Sequence, residues 1–293
     1  MGNVAGDTSY LASGLYEEIF AEAIIAYSDA GVMKNLVNDK PIMKADTASW
    51  QVANKGTNVI NSADVSAVTD GTQISAAIVN TDKKTATLAP YSVRTDVYDD
   101  TKYSNISDQA GYLGPLLGNA SGAFVDKTIG ALFSAVTNNV GTSTAGLTVD
   151  NMYAALAYLD EAGAPGQPSF VGKPGQIRGT YGLLNDLVTS TQFGGSPDLQ
   201  NPGLQNAWVD RIAGIDLYKS REVEVHDTNM AYGCVFVRDA FGLAAKNFDS
   251  GQPFWLEMSR EASYQRDEWY SHLFLGVIEL VDDYGVYVDT RFQ

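Results

Sequence analysis

The chain has 293 residues and is 45% hydrophobic, so it can bury one large core or two moderate ones. Its 35 acidic and 19 basic residues give a net charge of -16, which argues against a protein that binds nucleic acid by neutralising phosphates. The single cysteine, Cys234, excludes an internal disulfide and fits a reducing compartment.

Residues 1–45 begin with a polar, acidic stretch, which predicts that there is no signal peptide. One helical pattern follows, in which apolar residues recur every three or four positions through Leu15, Ile19 and Tyr27. A lone amphipathic helix on a loose leader needs a surface to pack on. Two interpretations stay open: a helix on its own domain, or an arm that packs on a neighbouring subunit.

Residues 46–90 are rich in Thr, Val, Asn, Ala and Asp, and large apolar side chains are scarce. Two alternating stretches flank an Asp-Gly pair, the preferred pair for a type I′ turn, so the pattern predicts a β-hairpin. An isolated two-stranded ribbon is marginal in water, so this one either joins a larger sheet or lies across another molecule. The candidate contact residues of the ribbon are Trp50, Asp70, Gly71, Ile74 and Ile78.

The middle of the chain alternates between strands and helices. A half-buried strand is predicted at 91–98, and a long helix is expected to begin after Ser107 or Asp108. Pro115 is placed in the first turn of that helix, where proline is tolerated, and the helix is expected to end near Val136. The small-residue linker 138–146 is the best internal boundary, and a second helix follows it.

The remaining residues read mainly as strands. The predicted segments are a strand at 168–172, a helix from Pro174 to Leu187, a loop at 193–205, strands at 209–220 and 232–237, and a small-residue turn at 239–245. A long strand at 254–264 is expected to pair with the strand at 91–98. Apolar strands at 273–281 and 285–288 close the chain, and the apolar run within them is far too short to span a membrane.

Few residues suit catalysis. The two histidines, His226 and His272, have no nucleophile elbow near them, and with Cys234 they lack the spacing of a zinc site. Cys234 lies in an apolar strand, which predicts a buried, inert thiol. Most adjacent carboxylates are expected to be solvated, and the turn at Asp282 and Asp283, which could take a divalent ion, lacks the EF-hand pattern. We therefore predict no catalytic, cofactor-binding or metal-binding residues.

One segment, Gly172–Gly179, deserves comparison with a phosphate-binding loop because it joins a strand to a helix and carries Lys173 and Arg178. It lacks the order of glycines and lysine in that motif and has Pro174 where a backbone donor is wanted. A strand-to-helix turn with proline at the first helical position explains it better.

The order of these elements resembles that of the major capsid proteins of tailed double-stranded DNA phages with the Hong-Kong-97 fold. Residues Asp210–Ser220, which turn at Gly214 and continue through Leu217 and Tyr218, resemble the family's glycine-hydrophobic-x-hydrophobic-tyrosine strand. The run Ala240–Ala245 and the Gly285-Val286 ending complete the order.

The resemblance implies an α+β fold of four parts. These are an N-terminal arm with an amphipathic helix (1–45), an extended β-hairpin loop (46–90), a peripheral domain with a long spine helix (91–146 and 253–272), and an axial domain (147–252 and 273–293). It also implies that the hairpin loop lies over a neighbouring subunit and that the arm, with Leu15 and Ile19, reaches another.

The implied function is structural. Hexamers and pentamers of the chain close into an icosahedral head in the virion, assembled in the bacterial host cytoplasm, that encloses packaged DNA without sequence-specific binding. Separate scaffolding, portal and decoration proteins are the expected partners, and no cofactor, membrane or isopeptide crosslink is predicted. The alternatives left open are an encapsulin-like bacterial compartment, an acidic α+β hydrolase such as a glycosidase, and a carbohydrate-binding module or adhesin.

Overall fold

The computed structural model describes residues 8–53, 81–100, 109–142, 145–177, 208–212, 214–248 and 253–292. Three long helices lie within these ranges: α1 (Thr8–Ala30), α2 (Gln109–Gly130) and α3 (Val149–Ala162). The strands are β1 (Asn38–Ile42), β2 (Thr47–Ala53), β3 (Thr81–Thr87), β4 (Ala89–Tyr98), β5 (Asn139–Val140), β6 (Ser169–Gly172), β7 (Trp208–Ile212), β8 (Ile215–Lys219), β9 (Val225–Asp227), β10 (Met230–Phe236), β11 (Phe241–Lys246), β12 (Phe254–Glu261), β13 (Arg266–Glu279) and β14 (Gly285–Arg291). The predicted α+β class is confirmed.

The ends of α3 carry the expected capping residues. The side chain of Thr148 accepts a hydrogen bond of 3.2 Å from the backbone N–H of Asn151, and Gly163 closes the helix in the left-handed region at φ 59°. In α2, by contrast, Pro115 lies in the second turn rather than in the predicted first turn, because the helix begins as early as Gln109. Its missing N–H leaves one intrahelical hydrogen bond unmade.

A five-stranded sheet is organised around β13. This strand pairs antiparallel with β4 over Arg266–Leu275, with β12 over Arg266–Leu273, and with β11 beyond them, while β1 joins β11 in parallel. The prediction that the strand near 254 pairs with the strand at 91–98 is wrong, because β13 separates the two. The run at 239–245, predicted as a turn, forms β11.

A seven-stranded sheet is the second layer, in the order β5-β14-β10-β6-β8-β7, with β9 on β10. The predicted turn at Gly214 is confirmed: this residue has φ 84° and joins β7 to β8, which pair antiparallel. The strands predicted at 168–172, 232–237 and 285–288 are confirmed as β6, β10 and β14, each within a few residues.

The larger core cluster spans both sheets, because it also includes Val171 of β6 and Phe236 of β10. Helices α1 and α2 cover one face of the five-stranded sheet, with Phe254 and Trp269 in the cluster between them. Helix α3 covers one face of the seven-stranded sheet through Met152, Ala155 and Leu159. The amphipathic patterns found in the sequence therefore mark the faces that the helices bury.

The division of the chain into peripheral and axial domains stays a prediction, but two of its limits fall at notable places. The boundary between 272 and 273 lies inside the single strand β13. Strand β11, assigned to the axial domain, belongs to the same sheet as β4. A sheet ladder crosses sequence boundaries that composition alone suggests, because strand pairing depends on partners distant in the chain.

Candidate assembly surfaces

Helix α1 packs against α2 along a row of glycines. Gly114, Gly118 and Gly122 follow one another at intervals of four, so they share one face of α2. A methyl group added at Gly118 would lie 2.2 Å from the carbonyl oxygen of Ala23, and one at Gly122 would lie 2.8 Å from the Cβ of Ala30. The two helix backbones therefore approach more closely than a larger side chain allows. This role of the glycines depends on their neighbours in α1, which no local sequence pattern shows.

The same contact buries Ile19, which has no exposed surface. One turn earlier, the hydroxyl of Tyr16 donates a hydrogen bond of 2.6 Å to the carbonyl of Leu256 in β12. Of the two interpretations of the N-terminal helix, the structure has the helix packed on its own chain, and in this arrangement Ile19 offers no surface to another subunit. Leu15 lies in α1, but its side chain is outside the described part of the structure.

A buried carboxylate, Asp126 of α2, ties three segments together. Its oxygens accept hydrogen bonds from the backbone N–H groups of Val32 (3.2 Å) and Met33 (2.9 Å), just after α1, and from the hydroxyl of Ser220 (2.9 Å), just after β8. Only 1% of Asp126 is exposed. One side chain thus connects the N-terminal helix, α2 and the seven-stranded sheet.

Burial of the charged Asp126 carboxylate is unfavourable. Desolvation raises the pKa of Asp126 although its three hydrogen-bond donors lower it, and burial lowers the pKa of the nearby Lys34. Lys34 also donates a hydrogen bond of 2.8 Å to the carbonyl of Tyr27 near the end of α1. The helix dipole stabilises a cation at this end. Burial raises the pKa of Tyr27 to about 12. The cluster serves as a structural junction, because the hydrogen bonds to Asp126 come from two other segments of the same chain.

The stem of the predicted ribbon is formed by β2 and β3, which pair from Thr47 opposite Thr87 to Ala53 opposite Thr81. Trp50 is 7% exposed and lies in a small core with Leu88, Ala244 and Leu280. A methyl group added at Gly242 would lie 3.1 Å from its ring, so the two sheets meet closely there. Trp50, predicted to contact another subunit, anchors the ribbon to its own chain. The other candidate residues of the ribbon, Asp70, Gly71, Ile74 and Ile78, lie outside the described residues.

Charged side chains link the strands at the far end of the five-stranded sheet. Arg94 of β4 forms two hydrogen bonds of 2.8 Å with Asp96, and Arg266 of β13 lies 3.0 Å from Asp96 and 2.6 Å from Glu268. The hydrogen bonds from Arg94 lower the pKa of Asp96. The pKa of Glu268 is lowered by a hydrogen bond of 2.6 Å from the hydroxyl of Tyr270 and by the bond from Arg266. An exposed ion pair contributes little to stability on its own, but here Glu268 is buried, and the network fixes the positions of the side chains on β4 and β13.

Residues considered for chemistry are not brought together. Cys234 is fully buried in β10, and burial raises the pKa of its thiol, so it fits the predicted inert role. His226 lies on the seven-stranded sheet, against Tyr232, whereas His272 lies on the five-stranded sheet, with its Nδ1 2.8 Å from the hydroxyl of Ser92.

The predicted strand-to-helix turn after Gly172 contains a buried amide that sequence analysis missed. The side chain of Gln176 accepts a hydrogen bond of 2.9 Å from the N–H of Lys173 and donates one of 2.7 Å to the carbonyl of Ala231. It also lies 3.0 Å from the hydroxyl of Thr290. The backbone donor of Lys173 that a phosphate would need is therefore occupied by Gln176. Arg178 and Gly179 lie outside the described residues.

Solved structures similar in three dimensions cover most of the chain. The capsid of the cyanophage P-SCSP1u is 16% identical, with a TM-score of 0.62 over 89% of this chain and 88% of that one. The capsid of Ralstonia phage GP4 is 11% identical, with a TM-score of 0.62 over 88% and 87%. The chain has the Hong-Kong-97-type capsid fold. No protein-family model and no curated protein sequence matches it.

The Hong-Kong-97-type fold also occurs outside phages among the similar structures. A holo encapsulin complex from Synechococcus elongatus is 15% identical, with a TM-score of 0.56 over 88% of this chain and 86% of that one. At these identities the likeness establishes the fold. Among the described residues, no helix combines the length and the apolar character needed to cross a membrane.

Proposed function

We propose that this protein is the major shell subunit of a tailed phage head, which assembles with copies of itself into hexamers and pentamers around packaged DNA. The observation that carries the proposal is the match to phage capsids over nearly nine-tenths of the chain and of each similar structure. A structural role without catalysis follows from the same likeness.

Two features of this chain support a role in assembly. Several large apolar side chains remain exposed on the single chain, among them Ile25 (57%), Met43 (70%) and Tyr112 (68%). In a shell such side chains can be covered by neighbouring subunits. The net charge of -16 disfavours adhesion of DNA to the wall, which suits a container that must release its contents.

The second candidate is a bacterial encapsulin-like compartment, which the similar Synechococcus structure favours. The two functions differ in what the shell encloses. Particles purified from cells that carry the neighbouring genes would contain nuclease-protected DNA if the protein forms a phage head. They would contain a protein cargo if it forms a compartment.

The first test is negative-stain electron microscopy of the protein expressed alone, together with light scattering to measure particle mass. We expect closed shells or rings of five and six subunits. If only monomer forms, co-expression with genes for candidate scaffolding proteins is the next step. Monomer under both conditions would contradict the proposal.

The predicted ribbon tip gives a second test, directed at the role of Asp70 and Gly71. Proline at the first central position of a type I′ turn is incompatible with the positive φ that the turn requires, so Asp70→Pro should leave the subunit folded and impair shell formation. Asp70→Asn is the matched control, because Asn-Gly is equally suited to the turn. If the proline variant forms normal particles, the ribbon tip has no role in assembly.

A further inference from the structure

Strands β3 and β4 form an almost continuous line, but within the described ranges only β3 is covered on its outer side. Strand β2 pairs with β3 as far as Thr47 opposite Thr87, and the N–H of Leu88 donates a hydrogen bond of 2.9 Å to Asp46. Beyond that point, no residue within the described ranges pairs with the side of β4 that faces away from β13. Among the described residues, the outer edge of β4 is therefore open.

The direction of each backbone group on β4 follows from its pairing with β13. The N–H of Asp99 donates to the carbonyl of Gln265, a pair in register with the β4–β13 ladder. In an antiparallel pair the groups of alternate residues point the same way, so odd-numbered residues of β4 face β13. The N–H and C=O groups of Ser92, Arg94, Asp96 and Tyr98 therefore point outward from the open edge.

An apolar surface lies beside this edge. A cavity of about 260 Å³ opens between β4 and α2, with Tyr91 and Val93 on one side and Ala120 and Phe124 on the other. Ala120 and Phe124 share a row of α2 with Leu116, which is 49% exposed, and with Tyr112. A strand added to β4 would cover this row on the helix face of the sheet.

We propose that the open edge of β4 pairs antiparallel with β4 of a second copy of this chain, across a twofold axis at Thr95. In this register the outward groups of Arg94 meet those of Asp96 of the second copy, and the reverse pair forms by symmetry. Val93 lies opposite Val97 on the helix face. The two helices α2 then lie on the same face of one continuous sheet, with their exposed rows toward the added strands.

Charge selects this register from its neighbours. A shift of the axis to residue 94 places two Arg94 side chains opposite each other, and a shift to residue 96 places two Asp96 side chains opposite each other. Only the axis at Thr95 gives opposite charges at both positions. The intrachain pair of Arg94 and Asp96, with side chains 42% and 20% exposed, would become an alternating group of four charges.

The contrast with β1, another strand on the edge of the same sheet, supports the choice of β4. Lys40 and Pro41 lie in the middle of β1, and both residue types commonly block further pairing at a sheet edge. β4 has no lysine, and its one proline, Pro90, stands near its start.

A disulfide trap tests the register. In the proposed pair Thr95 faces its own symmetry mate as a non-hydrogen-bonded pair, about 4.5 Å apart at Cα. That distance lies within the range for a disulfide. We expect Thr95→Cys to form linked dimers under mild oxidation, and Val93→Cys, which would lie opposite Val97, to stay at background. The native Cys234 is fully buried and is present in both variants, so any linking through it contributes equally to the two measurements. Equal linking of the two variants, or linking of neither, would overturn the proposal.

Charge exchange between copies gives an independent test in the Thr95→Cys background. Arg94→Asp alone and Asp96→Arg alone each place like charges opposite each other, so the linked fraction should fall by roughly five- to tenfold. A one-to-one mixture of the two variants restores opposite charges and should recover the link. Because mixing cannot restore the lost intrachain pair, recovery excludes simple damage to the fold. Failure of the mixture to recover would overturn the proposed pairing.

This contact does not depend on the proposed function. Shells that form without the Thr95 link would refute the contact and leave the shell role intact. Linked dimers of a protein that never forms shells would support the contact and refute the shell role.

Discussion

The two flanks of α2 differ in whether this chain supplies their packing partner. One flank presents Gly114, Gly118 and Gly122 to α1, and the contact is completed inside the chain. The other presents Tyr112 and Leu116, which remain exposed although both are large and apolar. Glycine permits two backbones to meet at close range, whereas large apolar side chains need a surface that this chain, in its described part, does not supply. The first flank belongs to folding and the second, we infer, to association.

The largest effect is expected at Ile19, on the glycine-lined flank. Ile19→Ala should destabilise the subunit by about 4 kcal/mol, because it removes a fully buried side chain and leaves a cavity. Chemical denaturation of the soluble subunit measures the loss. Ile25→Ala is the control, since Ile25 is 57% exposed and should change stability by less than about 0.5 kcal/mol. Equal effects at the two positions would mean that α1 is not packed as described.

Gly118→Ala should cost about 3 kcal/mol, because the added methyl group would overlap the carbonyl oxygen of Ala23 and force the helices apart. Gly146→Ala is the matched control, since a methyl group there has no neighbour within 4 Å. Thermal unfolding of both variants makes the comparison. A stable Gly118→Ala variant would show that the helix backbones do not approach closely.

Asp126→Ala should cost about 2 kcal/mol, because the backbone donors of Val32 and Met33 lose a buried acceptor. Asp126→Asn keeps a carbonyl acceptor and should cost less. Burial raises the pKa of Asp126, so the folded state binds its proton more tightly than the unfolded state. The carboxyl therefore stabilises the fold most below about pH 4, and this contribution is lost as pH rises through the raised pKa.

Chemical denaturation of the wild type and of the Asp126→Asn variant, at pH values below and above the raised pKa of Asp126, measures what the carboxyl contributes to the free energy of unfolding. The stability of the wild type relative to the variant should decrease as pH increases. A relative stability that increases with pH would mean that the hydrogen bonds to Asp126 outweigh its burial.

The smallest effect on the subunit is expected on the exposed flank. Leu116→Ser should change the stability of the subunit by less than about 0.5 kcal/mol, because half of the side chain is exposed. It should nevertheless reduce the yield of assembled particles, measured by light scattering. Lys127→Ser, at another exposed position of α2, is the control. Equal particle yields from the two variants would assign the flank no role in association.

Patterns in the sequence predicted many of the local elements. The period of the apolar residues located α1 and α3, alternation located β4, and an apolar run located β14. The chemistry was also read correctly at Cys234, because an apolar strand around a thiol implies burial. The pairing of the strand at 254 was wrong, since alternation shows that a strand has two faces but does not identify its neighbours.

The buried polar side chains were beyond prediction for a related reason. Asp126 and Gln176 look like ordinary polar residues in the sequence, yet each accepts or donates hydrogen bonds across gaps of more than fifty residues. Trp50 was recognised as important, but the partner it would pack on was not. Such contacts depend on segments that the fold alone brings together.

Local patterns misplaced the end of α2, which lies at Gly130 rather than near Val136. The sequence by itself determined the mixed α+β class, the inward faces of the main helices, and an order of elements that resembles a capsid protein. These properties depend on the periodicity of apolar residues, which involves only residues close together in the sequence. Only the tertiary structure decided that three glycines of α2 face α1, that Asp126 joins three segments, and that no strand in the described part of the chain pairs with the outer edge of β4. Each of these depends on distances between residues far apart in the chain, which no local pattern encodes.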